Sequence, residues 1–134
     1  MNIGRGVILG LKASVESVTR SPPVTALVSD SIATIVEKMV SNNIGAVIIM
    51  SGGAPAGIVT ERDIIEKIVR TRKDPAKTRT QDIMSSPVIS IESDKSVTDA
   101  LTVIRNKKIR RLAVTRKGAL IGVVTERRLL DSLV

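Results

Sequence analysis

The heptapeptide Gly57-Ile58-Val59-Thr60-Glu61-Arg62-Asp63 returns 65 residues later as Gly122-Val123-Val124-Thr125-Glu126-Arg127-Arg128, with five of its seven residues unchanged. A return of this kind marks a duplication, so the fold must be one that two copies of a single unit can build. The correspondence extends outward. Pro23-Val24 matches Pro87-Val88, Ser29-Asp30 matches Ser93-Asp94, and Ile44, Gly53 and Gly57 match Ile109, Gly118 and Gly122, which implies one extra residue before Ser96 and a change of offset from 64 to 65. Two copies are too few for a solenoid, which needs three or more repeats to bury its core. Two half-domains that share a core suit a chain of 134 residues better.

Apolar spacing gives each copy the same order of elements. After Pro22-Pro23 and a short extended stretch, Asp30 or Ser31 can cap a helix whose inward face is Ile32, Ile35, Val36, Met39 and Val40. Ile44–Met50 reads as a buried strand, Ser51-Gly52-Gly53 as a turn and Gly57–Thr60 as a second strand, followed by a helix with Ile64, Ile65, Ile68 and Val69 on one face. In the second copy, Val88–Ile91 is extended, Val97, Ala100, Leu101 and Ile104 face inward from a helix, and Ile109–Thr115 and Leu120–Thr125 are strands. A helix carrying Leu129, Leu130 and Leu133 closes it. The expected fold class is therefore α/β (α+β), two strand-helix-strand-strand-helix repeats. Its divisions are an N-terminal tail (1–15), loose or partner-bound, then repeat 1 with its linker (16–76) and repeat 2 (77–134), the charged stretch Arg70–Thr80 forming the joint.

Composition removes whole classes of chemistry. Cys and His are absent, so there are no disulfides, thiol nucleophiles, imidazole bases or common zinc ligands. Phe, Tyr and Trp are absent too; the core must be aliphatic, and a bound base would lie against aliphatic side chains. The apolar stretch Val7–Leu11 ends at Lys12 and is too short for a secretory or membrane segment, so a cytoplasmic location and no membrane partner are expected. Charge is lopsided: residues 1–66 carry five basic and six acidic side chains, residues 67–134 sixteen and seven. A basic half concentrated in Lys67–Arg79, Arg105–Lys117 and Arg127-Arg128 favours phosphate-bearing partners.

The signature itself supports two readings. Thr60 and Asp63, three residues apart at a helix start, form a capping box, and a carboxylate in the first turn suits the helix dipole. A carboxylate also accepts two parallel hydrogen bonds, which matches the vicinal hydroxyls of a ribose. Arg128 can do neither: a guanidinium only donates, and a cation in the first turn is unfavourable by up to about 1 kcal/mol. Further along, Lys107-Lys108-Ile109-Arg110-Arg111-Leu112 enters a strand, where successive side chains point to opposite faces; guanidinium groups there can grip phosphate in bidentate fashion, while Lys107 and Lys108 suit a solvated helix end.

The Pro-led first strand, the amphipathic helix, the strand Ile109-Arg110-Arg111-Leu112-Ala113-Val114 and the Gly-apolar-apolar-Thr-x-x-Asp signature, in this order and twice over, resemble a tandem cystathionine-β-synthase (CBS) domain pair, or Bateman module, over about residues 16–134. The resemblance implies two repeats packed through their sheets with pseudo-twofold symmetry and clefts that take adenine nucleotides or adenosyl compounds. It implies a main site of Thr60, Asp63, Met84, Pro87, Val88, Ile89, Ile109, Arg110 and Arg111, with Asp63 on the ribose, apolar residues on the base and the arginines on phosphates. A second site of Arg20, Pro23, Thr25, Ile44, Gly45, Thr125 and Arg128 would be vacant or hold phosphate alone.

The function expected from the resemblance is a non-catalytic, energy-sensing regulatory module. It would need no cofactor, bind AMP, ADP or ATP, form a homodimer and signal to a separate, unidentified protein. Two alternatives stay open. The basic half could bind nucleic acid nonspecifically, although it lacks aromatic stacking platforms and helix-turn-helix or zinc-finger spacing. The pair could also be a ligand-free dimerisation module closing exposed apolar helix faces. Catalysis is disfavoured: Glu61, Asp63 and Glu126 are the acids of the signatures, with no nucleophile-base pair or metal cluster beside them.

Overall fold

The structure is a computed structural model that describes residues 3–133. Met1, Asn2 and Val134, which the expected tail and second repeat include, lie outside the described residues. The first repeat runs β1 (Thr25–Leu27), α2 (Ile32–Asn42), β2 (Ala46–Ser51), β3 (Ala54–Thr60) and α3 (Glu61–Ile64), and α3 continues into a π turn over Ile65–Val69. The second runs β4 (Ser90–Glu92), α4 (Val97–Lys107), β5 (Arg111–Arg116), β6 (Ala119–Thr125) and α5 (Glu126–Asp131). Each repeat forms a three-stranded mixed sheet in sequence order, with a parallel pair joined through the helix and an antiparallel hairpin. The class is α/β, as expected.

Ser31 and Ser96 cap α2 and α4 by accepting from the amides of Thr34 and Asp99, and Asn43 and Lys108 end those helices in the left-handed conformation. Asp30, the other candidate cap, instead accepts from Leu27 N–H at 2.8 Å. The two hairpins carry a register shift at the same place, Ile49/Met50 and Val114/Thr115. Buried positions follow the expected helical spacing at Ile32, Ile35 and Met39 and at Val97, Ala100 and Ile104. Four apolar residues expected inside are not: Val40, Ile65, Val69 and Leu130 are 76%, 60%, 64% and 49% exposed. Val40 sits at the exposed end of the α2 stripe. Ile65 and its counterpart Leu130 each follow an inward residue, Ile64 and Leu129, and Val69 follows buried Ile68, so all three turn outward.

The internal correspondence is a uniform offset of 65, not a change from 64 to 65. Strand registers Thr25↔Ile48 and Ser90↔Ala113, the caps Ser31 and Ser96, and the cis Ser21-Pro22 and Ser86-Pro87 bonds all differ by 65. Pro22, rather than Pro23, is therefore the partner of Pro87, and the Ser-Asp matches at 64 are coincidental.

The chain divides into two compact units. One holds Val24–Val88; the other joins Met1–Pro23 to Ile89–Val134. Each unit thus combines the sheet and helices of one repeat with the short leader that precedes the other. In the continuous unit, Thr80 opens the leader, is buried, and bonds Asp30 O through both its amide and its hydroxyl at 2.8 Å; Gln81 N–H then bonds Val28 O. In the discontinuous unit, buried Val15 N–H bonds Lys95 O and Glu16 N–H bonds Ser93 O, the same pattern 65 residues removed. The segment expected to be a loose or partner-bound tail forms α1 (Ile3–Lys12), which packs on α4, and Leu11 O accepts from Thr98 Oγ1 at 3.0 Å. Burial of Val15 anchors its C-terminal end.

The leaders lie directly on the signature glycines. A Cβ at Gly57 would come within 2.7 Å of Ser85 O and 2.9 Å of Met84 Sδ, and one at Gly122 within 2.3 Å of both Arg20 O and Thr19 Cγ2. Reciprocal bonds seal each approach: Ile58 and Ser85 exchange N–H···O bonds of 2.9 Å, and Arg20 and Val123 bonds of 3.0 and 3.1 Å. Both cores are aliphatic. One is built around Val15, Leu112, Val124 and Leu129, the other around Ile32, Ile35, Val47 and Val59.

Gly122→Ala is expected to destabilise by about 1–3 kcal/mol, as overpacking does. It should exceed Gly57→Ala, where the nearest backbone atom, Ser85 O, stands farther from the added methyl than Arg20 O does at Gly122; urea unfolding checks the order. Two carboxylates also predict acid lability. Glu92 is held below the usual carboxylate range by the Thr115 hydroxyl and then the Lys117 amide, and Asp99 by the amide and then the hydroxyl of Ser96. Groups with depressed folded-state values stabilise above their unfolded values of about 4 and lose that contribution as pH falls through the folded values. The urea midpoint should therefore drop below about pH 4, and Asp99→Asn should flatten that drop.

Candidate functional site

Thr60 ends β3 in the extended conformation and caps α3, and both halves of the expected capping box are present. Its hydroxyl accepts from Asp63 N–H at 3.3 Å, and Asp63 Oδ2 accepts from Thr60 N–H at 2.9 Å and from the Thr60 hydroxyl at 3.2 Å. Asp63 is buried, 8% exposed, and its other oxygen, Oδ1, faces Lys67 Nζ at 3.1 Å. Lys67 Nζ also donates to Ile83 O at 2.8 Å. Neither half of this bridge was anticipated from the sequence, where Lys67 was grouped with the basic linker. The i,i+4 spacing of Asp63 and Lys67 was the available signal.

The second signature keeps the hydroxyl and loses the carboxylate. Thr125 Oγ1 accepts from Arg128 N–H at 3.2 Å, but nothing returns a bond to the Thr125 amide from position 128. The guanidinium instead donates from Nε to Val18 O at 2.7 Å. Val18 corresponds to Ile83, so in each unit a cation from the helix after the signature holds the same leader carbonyl. Lys67 does so in one and Arg128 in the other.

The predicted site residues divide between the units in a definite way. Thr60, Asp63, Met84, Pro87 and Val88 share the continuous unit, so the signature of repeat 1 does meet the leader of repeat 2. Thr25, Ile44 and Gly45, assigned to the second site, lie in that same unit, and Gly45 O accepts from Glu61 N–H at 3.0 Å. Ile89, Ile109, Arg110 and Arg111 lie in the other unit together with Arg20, Pro23, Thr125 and Arg128. Arg110 O accepts from Glu126 N–H at 2.8 Å, and Arg111 is the cross-strand partner of Thr125. Hairpin register is the reason: β5 pairs with β6 of its own repeat, so the residues that open β5 arrive beside the Arg128 signature, as those opening β2 arrive beside Asp63.

Arg110 is exposed and Arg111 half-buried, and neither takes part in the ion pairs found among the described residues. Beside the Asp63 signature, an open groove of about 520 Å³ is lined by Val36, Met39, Val40, Ile44, Gly45 and Ile64, with Glu61 at its edge. No group of His, Cys, Asp and Glu among the described residues could hold a metal ion. No helix among them is long and apolar enough to cross a membrane. Removing the cap and the Lys67 partner together, Asp63→Ala should cost about 1–3 kcal/mol. Arg128→Ala, which removes an exposed donor, should cost less; paired thermal melts compare them.

The CBS domain family matches twice, over residues 15–70 and 81–134. An uncharacterised protein of Methanopyrus kandleri is 39% identical over 129 residues, which are 95% of this chain and 63% of that protein. A CBS domain protein of Pyrobaculum aerophilum in complex with AMP superposes with a TM-score of 0.79 at 24% identity, covering 90% of this chain and 98% of that one. A CBS domain pair in complex with 5′-methylthioadenosine and S-adenosyl-L-methionine gives 0.78 at 23% identity, covering 89% and 94%. At these identities the two structures establish the fold. The chain spans about half to two thirds of the length of the curated relatives it matches first.

Proposed function

The chain belongs to the CBS domain family as a tandem pair, and we propose that it is a non-catalytic regulatory module that binds an adenine nucleotide (AMP, ADP or ATP) at the Asp63 signature and signals to a separate partner. The difference between the two signatures carries this reading. Asp63 presents a buried, oriented carboxylate at the start of α3, an acceptor for the two hydroxyls of a ribose. Arg128 offers donors only, so the second signature suits an anion without a nucleoside, with Arg110 and Arg111 in the same unit as further anion ligands.

Two further observations support it. The ligands of the structural neighbours, AMP in one and two adenosyl compounds in the other, share adenosine and its ribose diol. Met84, Pro87 and Val88 of the leader share the unit of Asp63, and in a chain without aromatic residues they are the aliphatic side chains the reading assigns to the base. Exposed Val40, Ile65 and Val69 offer an apolar face to a second copy, which suits a homodimer.

Equilibrium dialysis against AMP and ATP tests the reading, since a protein without aromatic residues leaves nucleotide absorbance unobscured. One saturable nucleotide per chain is expected, weakened about tenfold to a hundredfold in Asp63→Ala by loss of charge-assisted hydrogen bonds. Arg110→Ala should leave adenosine binding unchanged. Two equivalent nucleosides per chain, or unchanged affinity in Asp63→Ala, would refute it, and the carboxylate would then be a helix cap alone. Binding that appears with a long polyanion and falls steeply with salt, without any for AMP, would move nucleic acid to the front.

A further inference from the structure

The bridge made by Lys67 has no counterpart in the second unit. There the residue equivalent to Lys67 is Ser132, whose hydroxyl turns back to Leu129 O, and the leader carbonyl is held by Arg128 instead. Both units therefore clamp a leader carbonyl with a cation. In the unit of Asp63 alone does that cation also hold a carboxylate, at 3.1 Å, while reaching Ile83 O at 2.8 Å. The Lys67 side chain is 40% exposed and that of Asp63 11%, and a pair with its cation in solvent adds little stability. Its contribution lies in geometry.

The acceptor capacity of Asp63 makes this specific. A carboxylate has about four lone-pair sites. Oδ2 receives the Thr60 amide and the Thr60 hydroxyl, and Oδ1 receives Lys67. The Thr60 hydroxyl is a rotor. When it turns away, one acceptor site is free on each oxygen, the parallel pair that a 2′,3′-diol requires. Lys67 keeps its own bond throughout, fixing the carboxylate plane, and its second bond fixes that plane relative to the leader that runs from Ile83 through Met84 to Val88. The π turn that contains Lys67 interrupts regular helix at this point; such interruptions are frequent at functional sites.

We infer that Lys67 is a positioning residue for ribose recognition, tying the Asp63 carboxylate and the leader of the second repeat into one frame. The inference rests on the nucleotide reading above. It makes discrimination between ribose and deoxyribose a property of Lys67 as well as of Asp63, and it predicts that occupancy of Asp63 is felt along the leader.

The test is equilibrium dialysis of AMP and 2′-deoxy-AMP with the full chain, its Lys67→Met variant, which keeps the apolar stem, and its Lys67→Arg variant. Amide hydrogen exchange at Ile58 and Ser85 is followed alongside. The wild-type chain should prefer AMP by about tenfold or more, the worth of one charge-assisted hydrogen bond. Lys67→Met should lose most of that preference and exchange faster at Ile58 and Ser85, and Lys67→Arg should restore both. A variant that merely loosened the fold would weaken the two nucleotides equally. Should Lys67→Met fail to fold, Lys67→Gln, which keeps a neutral donor, is scored in the same way. A Lys67→Met chain that keeps the wild-type preference would overturn the positioning role and leave the nucleotide reading intact. A wild-type chain that binds neither nucleotide, or both alike, would overturn the reading and the positioning role with it.

Discussion

At Gly57 and Gly122, backbone passes against backbone so closely that a single methyl group would not fit. The rest of each unit depends on that approach. It lets Ser85 pair with Ile58 and Arg20 with Val123, which brings the leader of one repeat onto the sheet of the other. The carbonyls of Ile83 and Val18 then fall within reach of a cation from the following helix. The same glycine opens the signature whose threonine caps that helix. Close packing, capping and the candidate site are therefore consequences of one short sequence and cannot vary independently.

Duplication supplied the same scaffold twice, and differences at two positions, Asp63 against Arg128 and Lys67 against Ser132, altered its chemistry. In both units the signature threonine caps its helix and a cation holds the leader carbonyl. With Asp at position 63, the cap is reciprocal, the carboxylate is buried, and the leader is held from one turn further along by Lys67. With Arg at position 128, the cap is one-sided and the guanidinium takes over the leader contact itself. The sheets stay alike beneath this difference: the two hairpins even share the position of their register shift.

Much of this was legible in the sequence because duplication provided an internal control. The order of elements, the capping box at Thr60 and Asp63, and the oddity of Arg128 follow from local rules that read short segments. What was illegible depended on register and on irregular backbone. The matches at an offset of 64 looked sound as letters, yet strand pairing imposes 65 throughout. Arg110 and Arg111 lie in the unit of Thr125 by hairpin pairing, a placement that strand register sets and short segments do not reveal. Ile65, Val69 and Leu130 each stand one position past an inward residue, and apolar letters alone do not show that they face outward. Lys67 was hidden by its neighbours: at the head of a basic run it reads as part of the run.

The exchange of leaders makes one unit continuous in the chain and the other discontinuous, with residues 1–23 completed only by residues 89–134. Synthesis from the N-terminus therefore finishes the unit of Asp63 first. Residues 1–23 must wait for residues 89–134, since Arg20 has its partner at Val123. Loop closure over that separation is slow compared with the local contacts of residues 24–88. Until it happens, α1 and the first leader remain without their seat, while the carboxylate signature already has its own leader in place.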